Sequence, residues 1–179
     1  YTRCKDGSGE QRALTNTAAP QGQRVVAHPR TNEFLLVSQD SSGRIWAQAC
    51  TGNTWFALTN LNSIRAITTL SNRCFDVAYE SQSGRGMVVY GTNGPIPQYC
   101  IWNGTNWIGP AAIANITNRY MSGRGAMTNR WIRLVSDPRT NSNQIMLLAR
   151  WSSNAVNYSS VMLWTNSAVW GALTNLETN

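Results

Sequence analysis

One short phrase occurs three times in the chain, and each copy places a tryptophan after a turn: Trp55, Trp107 and Trp170. Each copy consists of an alternating run, a turn rich in glycine, asparagine, threonine or serine, the tryptophan, and a second short run. The tryptophans lie 52 and 63 residues apart. Repetition at a period of about 50 residues is typical of propellers, solenoids and tandem arrays. The sequence therefore predicts a repeat architecture.

Alternating apolar residues and turn signals predict four short strands in each of three full units, which span residues 24–60, 73–113 and 129–175. No stretch of useful length has the periodicity of a helix. Four antiparallel strands per repeated unit are typical of a β-propeller blade. We therefore predict one all-β, β-propeller-like domain over residues 1–179, with a β-sandwich as the alternative.

Residues 1–16 indicate a fourth, partial unit with only the third and fourth strands. The segment ends in the Ala-Leu-Thr-Asn that also closes the first and third full units. In this alignment Cys4 takes the place of Trp164, and Gln11 takes the place of the repeated tryptophan. The chain thus carries about three and a half repeats of ~50 residues.

The second strand of each unit contains a continuous apolar run. A run of this kind is typical of a strand that is buried on both faces. We expect this burial for all three runs, which are Leu35–Val37, Met87–Val89 and Met146–Leu148.

The composition indicates an extracellular protein. Of the 15 basic residues only Lys5 is a lysine, the net charge is +7, and asparagine, threonine and serine are frequent. No apolar run approaches the roughly 20 residues that cross a membrane as a helix, so we expect no membrane span. The chain has neither an initiating methionine nor a signal peptide, which suggests a mature, processed or excerpted sequence.

The units resemble the repeats of secreted bacterial β-propeller proteins. Two segments carry the resemblance: FDVAYESQSGRGMVVYG at 75–91 and WNGTNW at 102–107. More distantly, the pattern is similar to blades of fucose-binding and tectonin-type lectins. The resemblance extends over about residues 24–175 and implies blade architecture. It does not imply one activity, because the same fold hosts many functions.

The four cysteines, Cys4, Cys50, Cys74 and Cys100, have no spacing typical of a zinc or haem site. We therefore expect no metal and no cofactor. In an oxidising compartment disulfides are plausible, with three possible pairings between which the sequence does not choose; buried thiols are the alternative. Three sequons make N-glycosylation possible at Asn103, Asn115 and Asn157.

Catalysis is not expected. Asp76 and Glu80 lie four residues apart on a strand, or about 13 Å, which exceeds the separation of a glycosidase carboxylate pair. His28 is the only histidine. The segment 38–46 is similar to the Asp-box turn of sialidases, but it has an extra residue and no threonine before its tryptophan. A polar hairpin turn is the simpler interpretation.

Five residues are candidates for ligand binding. Trp46, Trp102 and Trp164 could stack on sugar rings, although packing between units is the favoured interpretation for each. Arg30 and Arg139 occupy equivalent turns and could contact acidic glycans or a partner, with a solvated turn as the alternative. The arginines are spread along the chain rather than clustered, so nucleic acid is not an expected partner.

Three and a half units do not make a usual closed ring of 4–8 blades, and open sheet edges need a cover. The sequence therefore favours a non-enzymatic extracellular structural or adhesive protein, such as a subunit of a surface filament or a pilus-associated module. Copies of the chain or a second subunit would complete the partial blade. The alternatives are a lectin that binds surface glycans between blades and a sialidase-like glycoside hydrolase.

Overall fold

The computed structural model describes residues 3–5, 10–12, 18–52, 54–62, 66, 73–113, 128–153 and 156–178. These residues form strands and connecting turns, and none of them lies in a helix. No helix in the described ranges is therefore a candidate to span a membrane. The strands are β1 (Arg3–Lys5), β2 (Glu10–Arg12), β3 (Pro20–Ala27), β4 (Glu33–Asp40), β5 (Ile45–Thr51), β6 (Thr54–Trp55), β7 (Thr59–Asn60), β8 (Phe75–Tyr79), β9 (Gly86–Tyr90), β10 (Gln98–Trp102), β11 (Trp107–Ala112), β12 (Thr128–Ser136), β13 (Ile145–Ser153), β14 (Val156–Trp164) and β15 (Thr174–Thr178).

Three antiparallel sheets contain most of these strands. Sheet I has the order β3-β4-β5-β6, with β7 also paired to β5. Sheet II has the order β8-β9-β10-β11, and sheet III has the order β12-β13-β14-β15. The strands β1 and β2 form a separate two-stranded sheet. Within the sheets, consecutive strands pair through short hairpin connections, except that β7 pairs with β5 rather than with β6. The prediction of an all-β chain with antiparallel sheets is confirmed.

The first strands of the three sheets lie side by side, with β8 of sheet II between β3 of sheet I and β12 of sheet III. Sheet II is consequently covered on both faces. One face packs against sheet I through Leu35, Val37 and Trp102. The other packs against sheet III through Met87 and Leu147 in a second apolar cluster.

The pairing registers reproduce the alignment of the repeated phrases. Where the third strand of each sheet meets the tryptophan of the phrase, the opposed residues are Cys50 with Trp55, Trp102 with Trp107, and Trp164 with Trp170. In the separate hairpin Cys4 is opposed to Gln11, the two residues that the alignment places at the positions of Trp164 and Trp170. Equivalent sequence positions thus occupy equivalent places in successive hairpins.

Two of the three apolar runs are buried as expected, whereas the run in sheet III is partly exposed. The runs of sheets I and II are buried on both faces, as expected. In the third run only Leu147 is fully buried, whereas Met146 is 45% exposed. The expectation of burial on both faces is wrong for this strand, because no described residue packs a further sheet against that side of sheet III.

The turn between β4 and β5 is organised by one carboxylate. Asp40 Oδ1 accepts hydrogen bonds from Ser42 N (2.9 Å), Ser42 Oγ (2.7 Å) and Arg44 N (3.0 Å), and Oδ2 accepts one from Trp46 Nε1 (2.9 Å). Burial alone would raise the pKa of Asp40, but these hydrogen bonds outweigh it and lower the pKa. Asp40 therefore has a structural role in a polar hairpin.

Replacing Asp40 with alanine is expected to lower the free energy of unfolding by about 1–3 kcal/mol, because several donors lose their acceptor. Urea unfolding of the wild type and the Asp40→Ala variant measures this difference. This difference in the free energy of unfolding should shrink as the pH falls below 3.8, the ordinary pKa of an aspartate side chain. A carboxyl group with a lowered pKa stabilises the fold only while it is ionised. Ser41→Ala, in the same turn, is the control. Equal stability of all three proteins at neutral pH would contradict this role for Asp40.

Candidate functional site

The boundary between sheets I and II contains a buried carboxylate. Glu33, at the start of β4, accepts hydrogen bonds at Oε1 from Tyr79 Oη (2.7 Å) and Trp102 Nε1 (3.1 Å). Thr51 Oγ1 donates to its Oε2 at 3.3 Å. Burial, followed by this hydrogen bond to Glu33, raises the pKa of the Tyr79 hydroxyl. Glu33 thereby joins two donors of sheet II to the edge of sheet I.

The boundary between sheets II and III repeats the arrangement with Glu80. Trp164 Nε1 donates to Glu80 Oε1 at 2.6 Å, and Arg85 donates to both carboxylate oxygens, at 2.7 and 2.9 Å. Glu80 lies just after β8, in the first hairpin of sheet II. In both boundaries a tryptophan from the third strand of one sheet is bonded to a carboxylate in the first hairpin of the preceding sheet.

Two of the predicted sugar-stacking residues, Trp102 and Trp164, are therefore interior. Each is 2% exposed. The ring of Trp102 contacts Phe56 and Trp107 at centroid distances of 5.2 and 5.4 Å. The ring of Trp164 contacts Tyr99 and Trp170 at 5.5 and 5.3 Å. Neither ring offers a free face for a sugar, and the packing interpretation describes both residues.

Trp46 lies apart from the other candidates. It is half-buried in β5 opposite Ser38, which is about 16 Å along β4 from Glu33 at the strand's other end. Its indole nitrogen is bonded to Asp40 in the turn described above.

The predicted arginines lie in the first hairpins of sheets I and III. Arg30 donates to the backbone carbonyl of Gln82, in the hairpin of sheet II. Arg139 is exposed and donates through Nε to both oxygens of Asp137, at 3.1 and 3.0 Å. These hydrogen bonds lower the pKa of Asp137. The hairpin of sheet II lies between the two arginines, so the structure does not bring Arg30 and Arg139 to one point.

The described cysteine sulfurs are buried beside oxygen acceptors. Cys74 Sγ lies 3.4 Å from Gln39 Oε1, and Cys50 Sγ and Cys100 Sγ each lie 3.7 Å from a backbone carbonyl. Burial raises the pKa of the Cys100 thiol to about 11, so it is protonated at neutral pH. The side chain of Cys4 is outside the described residues, and disulfide formation stays a prediction.

The three predicted glycosylation sites differ in accessibility. Asn103 is exposed, and its side-chain oxygen accepts hydrogen bonds from Thr105 N (3.0 Å) and Asn106 N (2.8 Å). Asn157 is half-buried in β14. Asn115 lies outside the described residues.

A cleft of about 410 Å³ follows the first strands of the three sheets, and we call it the inner cleft. Its floor is β8, one wall is β3 and the other is β12. The walls are largely apolar, and Tyr79, Ser81 and Ser136 are among the polar lining residues. Their hydroxyls donate to Glu33, to the Asp137 carbonyl and to the Tyr79 carbonyl respectively. The lining residues are Arg24, Val26, Ala27, Pro29, Val77, Ala78, Tyr79, Ser81, Leu134, Val135 and Ser136.

A buried carboxylate with three arginines lies at one end of this cleft, next to Val77 of the floor. Asp76 has no exposed side-chain surface. Its Oδ1 accepts from Arg24 Nε (3.0 Å), Arg73 Nη2 (2.9 Å) and Val77 N (3.0 Å). Its Oδ2 accepts from Leu134 N (3.0 Å) and lies 3.9 Å from Arg133 Nη1.

The arginines of this cluster carry more charge than Asp76 neutralises. Their side chains are 36% exposed at Arg24, 23% at Arg73 and 40% at Arg133. Burial, and then repulsion from the other two arginines, lowers the pKa of Arg73, although Asp76 opposes the change. Arginine side chains in proteins are positively charged, so the cluster attracts anions.

The sequence did not identify this cluster. Arg24 and Arg133 lie 52 and 57 residues from Asp76, and only the stacking of three sheets brings them together. The one available signal was a charged residue inside each predicted first strand. At such positions an acid and bases in neighbouring units can meet.

The described ranges contain no group of three histidine, cysteine, aspartate or glutamate side chains that could hold a metal ion. The described carboxylates discussed above are instead bound to arginine, tryptophan, tyrosine and backbone donors. The chemistry that the inner cleft offers is therefore hydrogen bonding, apolar contact and positive charge.

No protein-family model matches the sequence, and no curated protein matches it significantly. Among solved structures, the chain is similar to a fucose lectin from Kordia zhangzhouensis in complex with methyl-fucoside. The alignment covers 87% of this chain and 97% of that chain, with 14% sequence identity and a TM-score of 0.48. The functional assignment consequently depends on the chain's own geometry.

Replacing Glu80 with alanine is expected to destabilise the protein by about 1–3 kcal/mol, because Trp164 Nε1 is left as a buried donor without its acceptor. Glu80→Gln is the matched control. Its amide oxygen can still accept the hydrogen bond from Trp164, so it should lose less stability than the alanine variant. Urea unfolding followed by tryptophan fluorescence measures both. The same stability for the alanine variant and the wild type would show that the carboxylate does not hold sheets II and III together.

Proposed function

We propose that the protein is a non-enzymatic extracellular carbohydrate-binding protein, a lectin, and that a saccharide binds in the inner cleft. The observation that supports this most is the composition of the cleft. Apolar walls from β3 and β12 suit the C–H faces of a sugar ring. Arg24 can donate to its oxygen atoms. The hydroxyls of Ser81 and Ser136 donate to the backbone carbonyls of Asp137 and Tyr79, so they suit sugar hydroxyls as acceptors. The volume lies within the usual range of small-ligand sites, about 300–1,000 Å³, and the composition discussed above supports an extracellular location.

A β-propeller-like arrangement of the three sheets is part of this proposal. It is supported by the sequential antiparallel order of the strands, the repeated register at the phrase tryptophans, and the neighbouring first strands. In a propeller the first strand of each blade faces the centre. The inner cleft would then be a part of the central channel, where several blades contribute to one site.

The absence of catalysis is supported by how the described carboxylates are used. General acid–base chemistry needs a carboxyl group within reach of the substrate. Glu33, Asp76 and Glu80 are all buried and each accepts several hydrogen bonds from the protein. Their oxygens are occupied by donors from the neighbouring sheets.

Binding in the inner cleft can be tested with a bulky residue at an exposed lining position. Ala27→Trp fills part of the cleft and should weaken binding at least roughly tenfold, since a buried contact is worth one or more kcal/mol. The measurement is a screen of neutral and acidic oligosaccharides, followed by titration calorimetry with the best ligand. Ala57→Trp, exposed and outside the cleft lining, is the control. Wild-type protein that binds no saccharide would contradict the lectin assignment.

A structural role in an assembly is the second candidate, and the outward face of sheet III favours it. Met146 is 45% exposed, although it begins the same apolar run as Leu35 and Met87, which are buried between sheets. Its cross-strand neighbours Val135 and Leu163 are 55% and 39% exposed. We propose that a second copy of the chain covers this face, as a neighbouring sheet covers the equivalent face of sheets I and II.

The assembly hypothesis predicts that the wild type forms oligomers or filaments and that Met146→Glu shifts it towards the monomer. A charge at that position would have to be buried without a partner, which is costly. Light scattering and negative-stain electron microscopy over a range of protein concentrations measure the shift. Ile108→Glu, at an exposed apolar position in β11, is the control. A wild type that stays monomeric throughout would contradict this second function.

A further inference from the structure

We infer that the saccharide bound in the inner cleft is acidic, and that its carboxylate or sulfate group binds to Arg24, Arg73 and Arg133. This inference rests on the proposed lectin function and names the ligand class for the same site. It uses a cluster that is distinct from the arginines that sequence reasoning selected, Arg30 and Arg139. Those two bind a backbone carbonyl and a neighbouring aspartate.

The cluster carries an excess of positive charge. Three guanidinium groups surround one carboxylate, so the cluster has a formal charge of +2 from the contacts described above. Bringing three like charges together is unfavourable unless counter-charges are present. Asp76 neutralises one charge only. An anion from the ligand would supply the negative charge that the described residues around the cluster do not.

The oxygens of Asp76 have their full set of hydrogen-bond donors, whereas the arginines still have N–H groups that can donate to a ligand. Its two oxygens accept four hydrogen bonds of 2.9–3.0 Å. Each guanidinium has five N–H donors. Arg24 uses Nε and Arg73 uses Nη2 in these bonds, whereas Arg133 is held only by the longer ion pair. Donors therefore remain on each arginine.

The cluster also lies beside the cleft. Arg24 belongs to the cleft lining, and Asp76 accepts a hydrogen bond from the backbone N–H of Leu134 in the wall. Arg133 lies on the same face of β12 as Val135, which also lines the wall. All three arginines are partly exposed, so an anion can reach them. A carboxylate or sulfate matches the planar fork of a guanidinium in geometry and charge.

A single sugar acid suits this arrangement better than a long polyanion. Nucleic-acid sites use extended basic surfaces with aromatic platforms. Here the charge is compact, and the cleft beside it is walled by aliphatic side chains. Such a site can recognise one anionic group together with the ring that carries it.

The test compares two ligands with the same backbone: a uronic-acid trisaccharide and its carboxyl-reduced, neutral counterpart. Calorimetry should show tighter binding of the acid by at least roughly tenfold, since a charge-assisted hydrogen bond is the difference. The preference should fall as salt is raised, because partly exposed charges are screened. A sulfated trisaccharide, inorganic sulfate and a single-stranded oligonucleotide are further probes.

Arg133→Gln is the diagnostic variant, because it removes one charge without breaking a short hydrogen bond to Asp76. It should weaken binding of the acidic trisaccharide roughly tenfold and leave binding of the neutral one unchanged. Arg44→Gln, at an exposed turn arginine outside the cleft lining, is the matched control and should bind like the wild type. Unfolding curves confirm that both variants are folded.

Different outcomes of this experiment would contradict the acidic ligand and the lectin function. Equal binding of the acidic and neutral trisaccharides, unaffected by Arg133→Gln, would overturn the anionic ligand and leave the lectin intact. Binding of none of the saccharides would overturn the lectin assignment itself. Equally tight binding of inorganic sulfate or the oligonucleotide, with the same dependence on Arg133, would overturn the saccharide class and leave only an anion site. Preference for the sulfated trisaccharide would support the inference with sulfate as the anion.

Discussion

The carboxylate of Asp76 is the point on which the arrangement of the three sheets depends. It belongs to β8 of sheet II, and it binds Arg24 of sheet I and the backbone of Leu134 in sheet III. An ionised group in the interior is costly unless hydrogen bonds compensate it. The compensation here comes from both neighbouring sheets at once. The first strands must therefore keep one relative placement, which is also the placement that forms the walls and floor of the inner cleft.

Apolar packing alone would not specify that placement. The two clusters between the sheets are built from aliphatic and aromatic side chains, whose attraction is non-directional. Glu33 and Glu80 make directional contacts between the sheets, since each accepts a hydrogen bond from a tryptophan of the next sheet. A shift of one sheet along another would leave an indole N–H and a carboxylate buried without partners. Polar contacts thus determine the register between sheets, and apolar burial supplies most of the driving force.

The sequence predicted what depends on local patterns. Alternation and turn residues predicted the strands, and the repeated phrase aligned Cys4 with Trp164 and Gln11 with the repeated tryptophan. The structure pairs Cys4 with Gln11 in the same way as it pairs Trp102 with Trp107. The sequence could not decide whether Trp102 is a ligand platform or a core residue, because that depends on which neighbouring sheet covers its face. The cluster around Asp76 could not be predicted from the sequence for the same reason. Its members come from three sheets and share no local spacing.

The two proposed functions draw on the same part of the molecule. Arg133 lies on the outward side of β12 between Trp131 and Val135, which are 38% and 55% exposed. A second copy that covers sheet III would reduce the access of an anion to Arg133, or would have to leave that end of the cleft open. A protein that bound a saccharide here and also assembled through sheet III would couple the two processes, and by reciprocity each would change the other's affinity by the same factor. A ligand that favours the monomer indicates competition for this surface, whereas one that promotes assembly indicates a site that the neighbouring copy completes.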